Sequence, residues 1–112
     1  MEKYLFYGMT GDKLSFQHVL MNALALADKG KTVKIIFEGA SVRLVPLFIM
    51  EKNPLYLAAL DKGLIAGICR GCSRAHGVAD RLKDLAVPML NDMSGHAGMA
   101  PFLEEGYTII SM

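Results

Sequence analysis

The sequence predicts an α/β protein, a three-layer α/β/α arrangement around a five-stranded, mainly parallel sheet, formed by a single domain over residues 1–112. Short aliphatic or aromatic runs alternate with longer stretches of helical spacing from one end of the chain to the other. No repeat, low-complexity tract or linker interrupts that alternation. With a helix in each gap, successive strands cannot pair as hairpins, so parallel pairing with helices over both faces is the simplest packing. At 112 residues the chain has room for one core and can bury roughly two-thirds of its unfolded surface without disulfide staples.

Tyr4 to Tyr7 reads as a first strand, closed by Gly8-Met9-Thr10-Gly11. Asp12 is placed to cap a helix running to about Lys29. Phe16, Leu20, Ala23, Leu24 and Ala27 share one face of that helix, and Gly30 supplies its stop. Val33 to Phe37 is a short β-branched run, read as a buried strand that ends at Glu38-Gly39. Between Ser41 and Gly63 two short helices are expected. Pro46 interrupts the first pattern, and Asn53-Pro54 opens the second with proline in its first turn. Leu64 to Ile68 is the third strand, and Ser73 to about Leu85 a helix with Val78, Leu82 and Leu85 facing the core, weakened by Gly77. Val87 to Leu90, Gly98 to Glu105 and Tyr107 to Ile110 complete the pattern as strand, helix and strand.

Composition restricts the partners. Hydrophobic residues make up 53% of the chain and the mean hydropathy is +0.32, more apolar surface than one small core hides, so subunit contacts are expected. Twelve basic residues against eleven acidic, with an isoelectric point near 7.8, give no field to gather nucleic acid or an anionic membrane. The segment from Met1 to Gly8 reads as a strand and not as a secretory signal. The apolar stretch from Leu44 to Met50 is far shorter than the ~20 residues that span a bilayer. A cytoplasmic location is the expectation.

In parallel α/β sheets ligands collect beyond the carboxyl ends of the strands. Here those ends carry Gly8-Met9-Thr10, Glu38-Gly39, Cys69 and Asn91-Asp92, and one pocket is expected to hold them. The two cysteines are spaced Cys69-Arg70-Gly71-Cys72, directly after the third strand. In a reducing compartment such a pair is more often catalytic, redox-active or metal-binding than a permanent staple. Cys69 is the candidate nucleophile, with backbone N–H groups, the following helix, and Arg70 or Arg74 available to favour its thiolate. The competing reading is a buried small hydrophobe at a strand end. Cys72 is suited to resolve a disulfide with Cys69, to bind a metal beside it, or to sit at the helix start without chemistry.

His96, in Asn91-Asp92-Met93-Ser94-Gly95-His96, is the candidate to accept a thiol proton. Glu38 either binds a ligand or receives helix N–H groups, and Asp92 either lines the site or caps the next helix. Gly8, Met9, Thr10, Glu38, Asn91 and Asp92 are the ligand-binding candidates, although the glycine loop carries neither dinucleotide nor Walker signatures. No cofactor is required. The alternative is zinc or iron at the cysteine pair, with Cys69, Cys72 and His76 as ligands and a fourth from His96 or Asp92.

Four stretches then resemble the DsrE/DsrF-like family of small sulfur-relay proteins. They are Lys34 to Ala40, Asn53 to Tyr56, Gly63 to Ser73 and Asn91 to His96, spread over nearly the whole chain. The resemblance implies a parallel five-stranded α/β/α subunit assembled as trimers, hexamers or mixed complexes. It implies also that the cysteine at position 69 accepts a persulfide sulfur from a donor protein and passes it to an acceptor. Cys72 departs from the pattern of members with transfer activity, which leaves disulfide redox or metal binding open beside sulfur transfer, as well as a non-catalytic scaffold.

Overall fold

A computed structural model describes residues 2–112. Five strands, β1 (Lys3–Gly8), β2 (Thr32–Phe37), β3 (Ile65–Cys69), β4 (Met89–Leu90) and β5 (Thr108–Ser111), form one sheet in the order β4-β3-β2-β1-β5. Every pairing is parallel. Six α-helices alternate with them: α1 (Lys13–Asp28), α2 (Leu44–Glu51), α3 (Pro54–Asp61), α4 (Arg70–Ala75), α5 (Ala79–Leu82) and α6 (Ala100–Glu104).

Strand order decides which face each helix covers. Three successive crossovers step in one direction, from β1 to β4, and right-handed connections put α1 through α5 on one face. The return from β4 to β5 runs back past three strands, so the segment containing α6 crosses the opposite face as the third layer. The α1 face holds the aromatic core. Phe16 stacks on Phe37 at 4.6 Å between ring centroids, Tyr56 meets Phe37 edge-on at 6.2 Å, and Phe48 closes the group against Phe16 and Tyr56. All four are almost completely buried. Gly8 sits against Phe16, where an added Cβ would meet the ring at 2.5 Å. Strand alternation therefore turns Tyr7 to the other face, towards the crossing segment.

Local signals form these elements. Asp12 caps α1 by accepting from the Ser15 N–H, and Asn53 caps α3 through the N–H groups of Leu55 and Tyr56. The apolar stripe of α1 also includes Val19. Pro46 does not interrupt a helix as expected. It occupies the first turn of α2, entered from a 3-10 turn over Gly39–Arg43, where a missing N–H leaves no helical bond unmade. The single helix expected from Ser73 to Leu85 is also corrected. Helix α4 starts at Arg70 and stops at His76, because Gly77 takes φ +72 and turns the chain before α5. The fourth strand is two residues long where four were expected, and the helix expected from Gly98 begins at Ala100. Among the described residues no helix is long and apolar enough to cross a membrane.

Candidate functional site

Three neighbouring strand ends deliver the site. Cys69 is both the last residue of β3 and the N-cap of α4, so its sulfur accepts the Cys72 N–H at 3.4 Å, and Ser73 Oγ donates to the Cys69 carbonyl at 2.7 Å. Cys72 follows in the first turn of α4. Glu38 is the first residue beyond β2. Its N–H donates to the Gly8 carbonyl at 3.0 Å, and the buried Ser41 hydroxyl bridges the Gly8 and Glu38 carbonyls at 2.7 and 2.8 Å. The backbone carrying the carboxylate is thereby fixed to β1 as well as β2.

His96 arrives on a loop after β4. Met93 and His96 exchange N–H···O bonds of 2.8 and 2.9 Å across a two-residue turn in which Ser94 (φ 49) and Gly95 (φ 88) are both left-handed. That geometry belongs to tight hairpin turns and favours small or turn-forming residues at both positions. The turn is tied to α4 by the Gly71 N–H donating to the Gly95 carbonyl at 2.8 Å. Gly71 also leaves the space the imidazole fills, since a Cβ there would lie 2.5–2.7 Å from three atoms of the ring.

Four functional groups meet as a result. His96 Nδ1 lies 3.2 Å from Cys69 Sγ, 3.4 Å from Cys72 Sγ and 3.9 Å from Glu38 Oε1. The Cys72 thiol donates to Glu38 Oε1 at 2.8 Å. A second N–H, from Ala97, reaches Cys69 Sγ at 3.3 Å. Ligand atoms of Glu38, Cys69, Cys72 and His96 all fall within 4.8 Å of one another, a group able to hold a metal ion. Cys69 is fully buried and Glu38 nearly so, whereas the His96 side chain is 42% exposed and stands on the solvent side.

Burial first, and then the hydrogen bond to Glu38, push the Cys72 thiol up to about 12 from an ordinary 9.0. Tyr7 is driven well above the usual phenol range by burial and, next, by its own bond to Glu38. The raised Cys72 value means that its contribution to stability is complete below about pH 9 and is lost as pH climbs towards 12. Reactivity follows the same sign. At pH 8 Cys72 is expected to react with iodoacetamide far more slowly than an ordinary thiol, with a rate still rising beyond pH 9. Peptide mapping of the alkylated protein across pH reads this directly, and a midpoint near 9 at Cys72 contradicts its burial beside Glu38.

The structure unites only part of the expected constellation. Cys69, Cys72, His96 and Glu38 converge. Thr10 Oγ1 instead accepts the Asp12 N–H, Asp92 Oδ1 accepts the Gly98 N–H at 3.1 Å, and the Asn91 carbonyl accepts from Gly95, so these serve their own loops. Gly8 shapes the β1 end, and Met9 packs beside Gly39. His76 lies outside the group, exposed at the C-cap of α4. It stands one helical turn beyond Cys72, a rise of about 5.4 Å away from the strand ends. A cleft of about 240 Å³ lined by Arg70, Arg74, Ala79, Asp80, Lys83 and Met89 contains none of the four converging residues.

Tyr7 is the site residue that sequence reasoning missed. Its hydroxyl lies 2.9 Å from Glu38 Oε2 and 2.7 Å from the Ala97 carbonyl, coupling β1, β2 and the His96 loop. The available signal was a phenol one residue before a strand end, which when buried requires a polar partner.

Fold and site together define an α/β protein with a thiol–imidazole–carboxylate centre at the carboxyl edge of its sheet. The chain is 30% identical over 97 residues to the uncharacterised protein MJ0733 of Methanocaldococcus jannaschii, an alignment covering 85% of this chain and 78% of the relative, and it belongs to the same family. No family model matches the chain, and no solved structure does.

Proposed function

We propose that this chain is a small cytoplasmic sulfur-relay protein of DsrE/DsrF-like type, carrying sulfane sulfur on Cys69. The observation that supports this best is the surroundings of Cys69 Sγ, where two backbone N–H groups and an imidazole nitrogen converge on one sulfur within 3.4 Å. Such donors suit both a thiolate and the terminal anion of a persulfide.

The Cys69 thiolate attacks the terminal sulfur of a donor persulfide. A new S–S bond forms at Cys69, the donor S–S bond breaks, and the donor leaves as a thiolate with the bonding electron pair, so there is no net redox change. His96 is positioned to exchange the proton of the incoming or departing thiol. An acceptor thiolate then repeats the displacement on the outer sulfur and Cys69 departs as thiolate. Because Cys69 is fully buried, the half-exposed His96 side chain must swing aside to admit donor and acceptor. Cys72 supplies a second exit. Cys72 gives its proton to Glu38 Oε1 as its sulfur attacks Cys69 Sγ. The Cys69–Cys72 disulfide forms and the outer sulfur leaves as hydrosulfide, which takes up the proton as hydrogen sulfide, after which an external thiol reductant restores the pair.

Homo-oligomers, trimers or hexamers, fit the exposed Met9, Met50, Met93, Leu103 and Met112. A second reading, zinc or iron at the cysteine pair in place of sulfur, is favoured by the mutual distances of the four donors.

Native mass spectrometry of the untagged protein tests the first reading. After exposure to glutathione persulfide one sulfur atom is gained per chain, and Cys69→Ser gains none. Equal gain by Cys69→Ser removes Cys69 as the carrier.

A further inference from the structure

We infer that Glu38, Cys69, Cys72 and His96 are the four ligands of a zinc-type divalent ion, and that this ion and a sulfur atom carried on Cys69 exclude each other. Metal occupancy is then the off state of the carrier. The exclusion rests on the sulfur-carrier reading, whereas the metal site does not.

The donor set comes first. Two thiolates, an imidazole and a carboxylate suit zinc or ferrous ion in tetrahedral geometry. Bonds of about 2.3 Å to sulfur and 2.0–2.2 Å to nitrogen and oxygen put tetrahedral ligand atoms roughly 3.3–3.8 Å apart. The contacts of 3.2, 3.4 and 3.9 Å lie within a few tenths of that range. The group as a whole spans up to 4.8 Å, so its ligands must close on an ion, and the Cys72–Glu38 contact, at 2.8 Å, is too short for two ligands of one ion. There the Cys72 thiol donates its proton in a hydrogen bond to the carboxylate. An ion replaces that proton, releases it to solvent, and lets sulfur and oxygen separate to coordination distance.

The outer contacts hold the ligands for this role. Tyr7 hydrogen-bonds Glu38 Oε2 and leaves Oε1 facing Cys72 Sγ and His96. The N–H groups of Cys72 and Ala97 support the Cys69 sulfur. The Gly71–Gly95 bond holds the turn that presents His96. Such second contacts fix ligand orientation and add materially to metal affinity.

Exclusion follows from space. Cys69 is fully buried, with its sulfur closed in by the two N–H groups and facing His96 Nδ1. A second sulfur, bonded about 2.05 Å from Sγ, must point into the centre of the four donors. An ion would lie about 2.3 Å from the same Sγ in that same centre. The two cannot be present together, and a thiolate bound to metal is in addition a blunted nucleophile.

The test uses the untagged full chain, stripped with chelator under reducing conditions. Cobalt(II) titration is expected to saturate at one equivalent, with thiolate-to-cobalt charge-transfer bands and the visible bands of tetrahedral cobalt, and zinc abolishes both. Glu38→Gln, which removes a charged ligand, weakens cobalt binding by at least the roughly 10- to 100-fold that loss of an outer contact costs, while His76→Ala leaves it unchanged. In the second arm, zinc-loaded protein freed of excess ion gains no sulfur from glutathione persulfide and regains the capacity after chelation, and sulfur-loaded protein shows no cobalt bands. Absence of tetrahedral cobalt bands in the stripped wild type overturns the metal site. Sulfur uptake undiminished by bound zinc overturns the exclusion. If stripped protein takes up no sulfur at all, the carrier reading and the exclusion fall together, and the cobalt spectrum alone still decides the metal site.

Discussion

Replacing Phe37 by alanine is expected to lower the unfolding free energy by about 3–5 kcal/mol, the usual cost of emptying a buried aromatic site. Phe37 is fully buried, stacked on Phe16 and met edge-on by Tyr56, so three elements lose a shared contact and the cavity has little freedom to collapse. For a domain whose total stability is of order 5–15 kcal/mol, this is a large fraction. The consequence reaches the site, because Phe37 immediately precedes Glu38 at the end of β2. Urea denaturation measures the loss, with Leu14→Ala as the comparison. Leu14 is 69% exposed on α1 and its removal should change stability by no more than about 0.5 kcal/mol. A loss below about 1 kcal/mol for Phe37→Ala is incompatible with the aromatic cluster as the centre of the core.

The second large effect is expected from Gly71→Ala, and it falls on function while sparing the fold. Two terms oppose each other. Alanine in a helix is favoured over glycine by about 0.4–1 kcal/mol, whereas an overlap inside a packed interior costs about 1–3 kcal/mol. The obstructing group here is the His96 imidazole, 2.5–2.7 Å from the added Cβ, on a side chain 42% exposed and free to rotate outward. Stability therefore changes by less than about 1 kcal/mol, and His96 leaves both sulfurs. Sulfur loading is expected to slow about 10²-fold, the lower end of what a positioned acid–base group contributes. His96→Ala should match it. Wild-type loading by Gly71→Ala beside slow loading by His96→Ala shows that the imidazole holds its place despite the overlap.

The parts of the fold that were legible from sequence rest on local chemistry. Asp12 and Asn53 cap their helices, and the aliphatic runs around Val33, Leu64 and Tyr107 become strands in parallel order. The misjudged parts are those in which a local rule has two outcomes. Pro46 interrupts a helical pattern in the sequence, yet a first-turn proline costs no hydrogen bond. Gly77 marks a weak point within one helix in the sequence, yet its left-handed backbone ends α4. The metal alternative of Cys69, Cys72 and His76, with a fourth ligand from His96 or Asp92, changes in two members: His76 stands exposed one turn beyond Cys72 and Asp92 serves its own loop. Glu38 joins Cys69, Cys72 and His96 instead, and neither Glu38 nor His96 is near the cysteines in sequence.

By itself the sequence determined the order and type of the elements, the caps that begin them, and a thiol pair at the end of a strand. Each of these depends on residues a few positions apart, whose torsional preferences and hydrogen bonds act in almost any surroundings. Only the tertiary structure decided which side chains meet the thiols. Glu38 lies 34 positions from Cys72 and His96 lies 27 from Cys69. Their meeting depends on β2, β3 and β4 lying side by side, on the Ser94-Gly95 turn being tied to α4, and on Gly71 leaving room for a ring. Strand order is set by the packing of the whole sheet, so no short segment carries it.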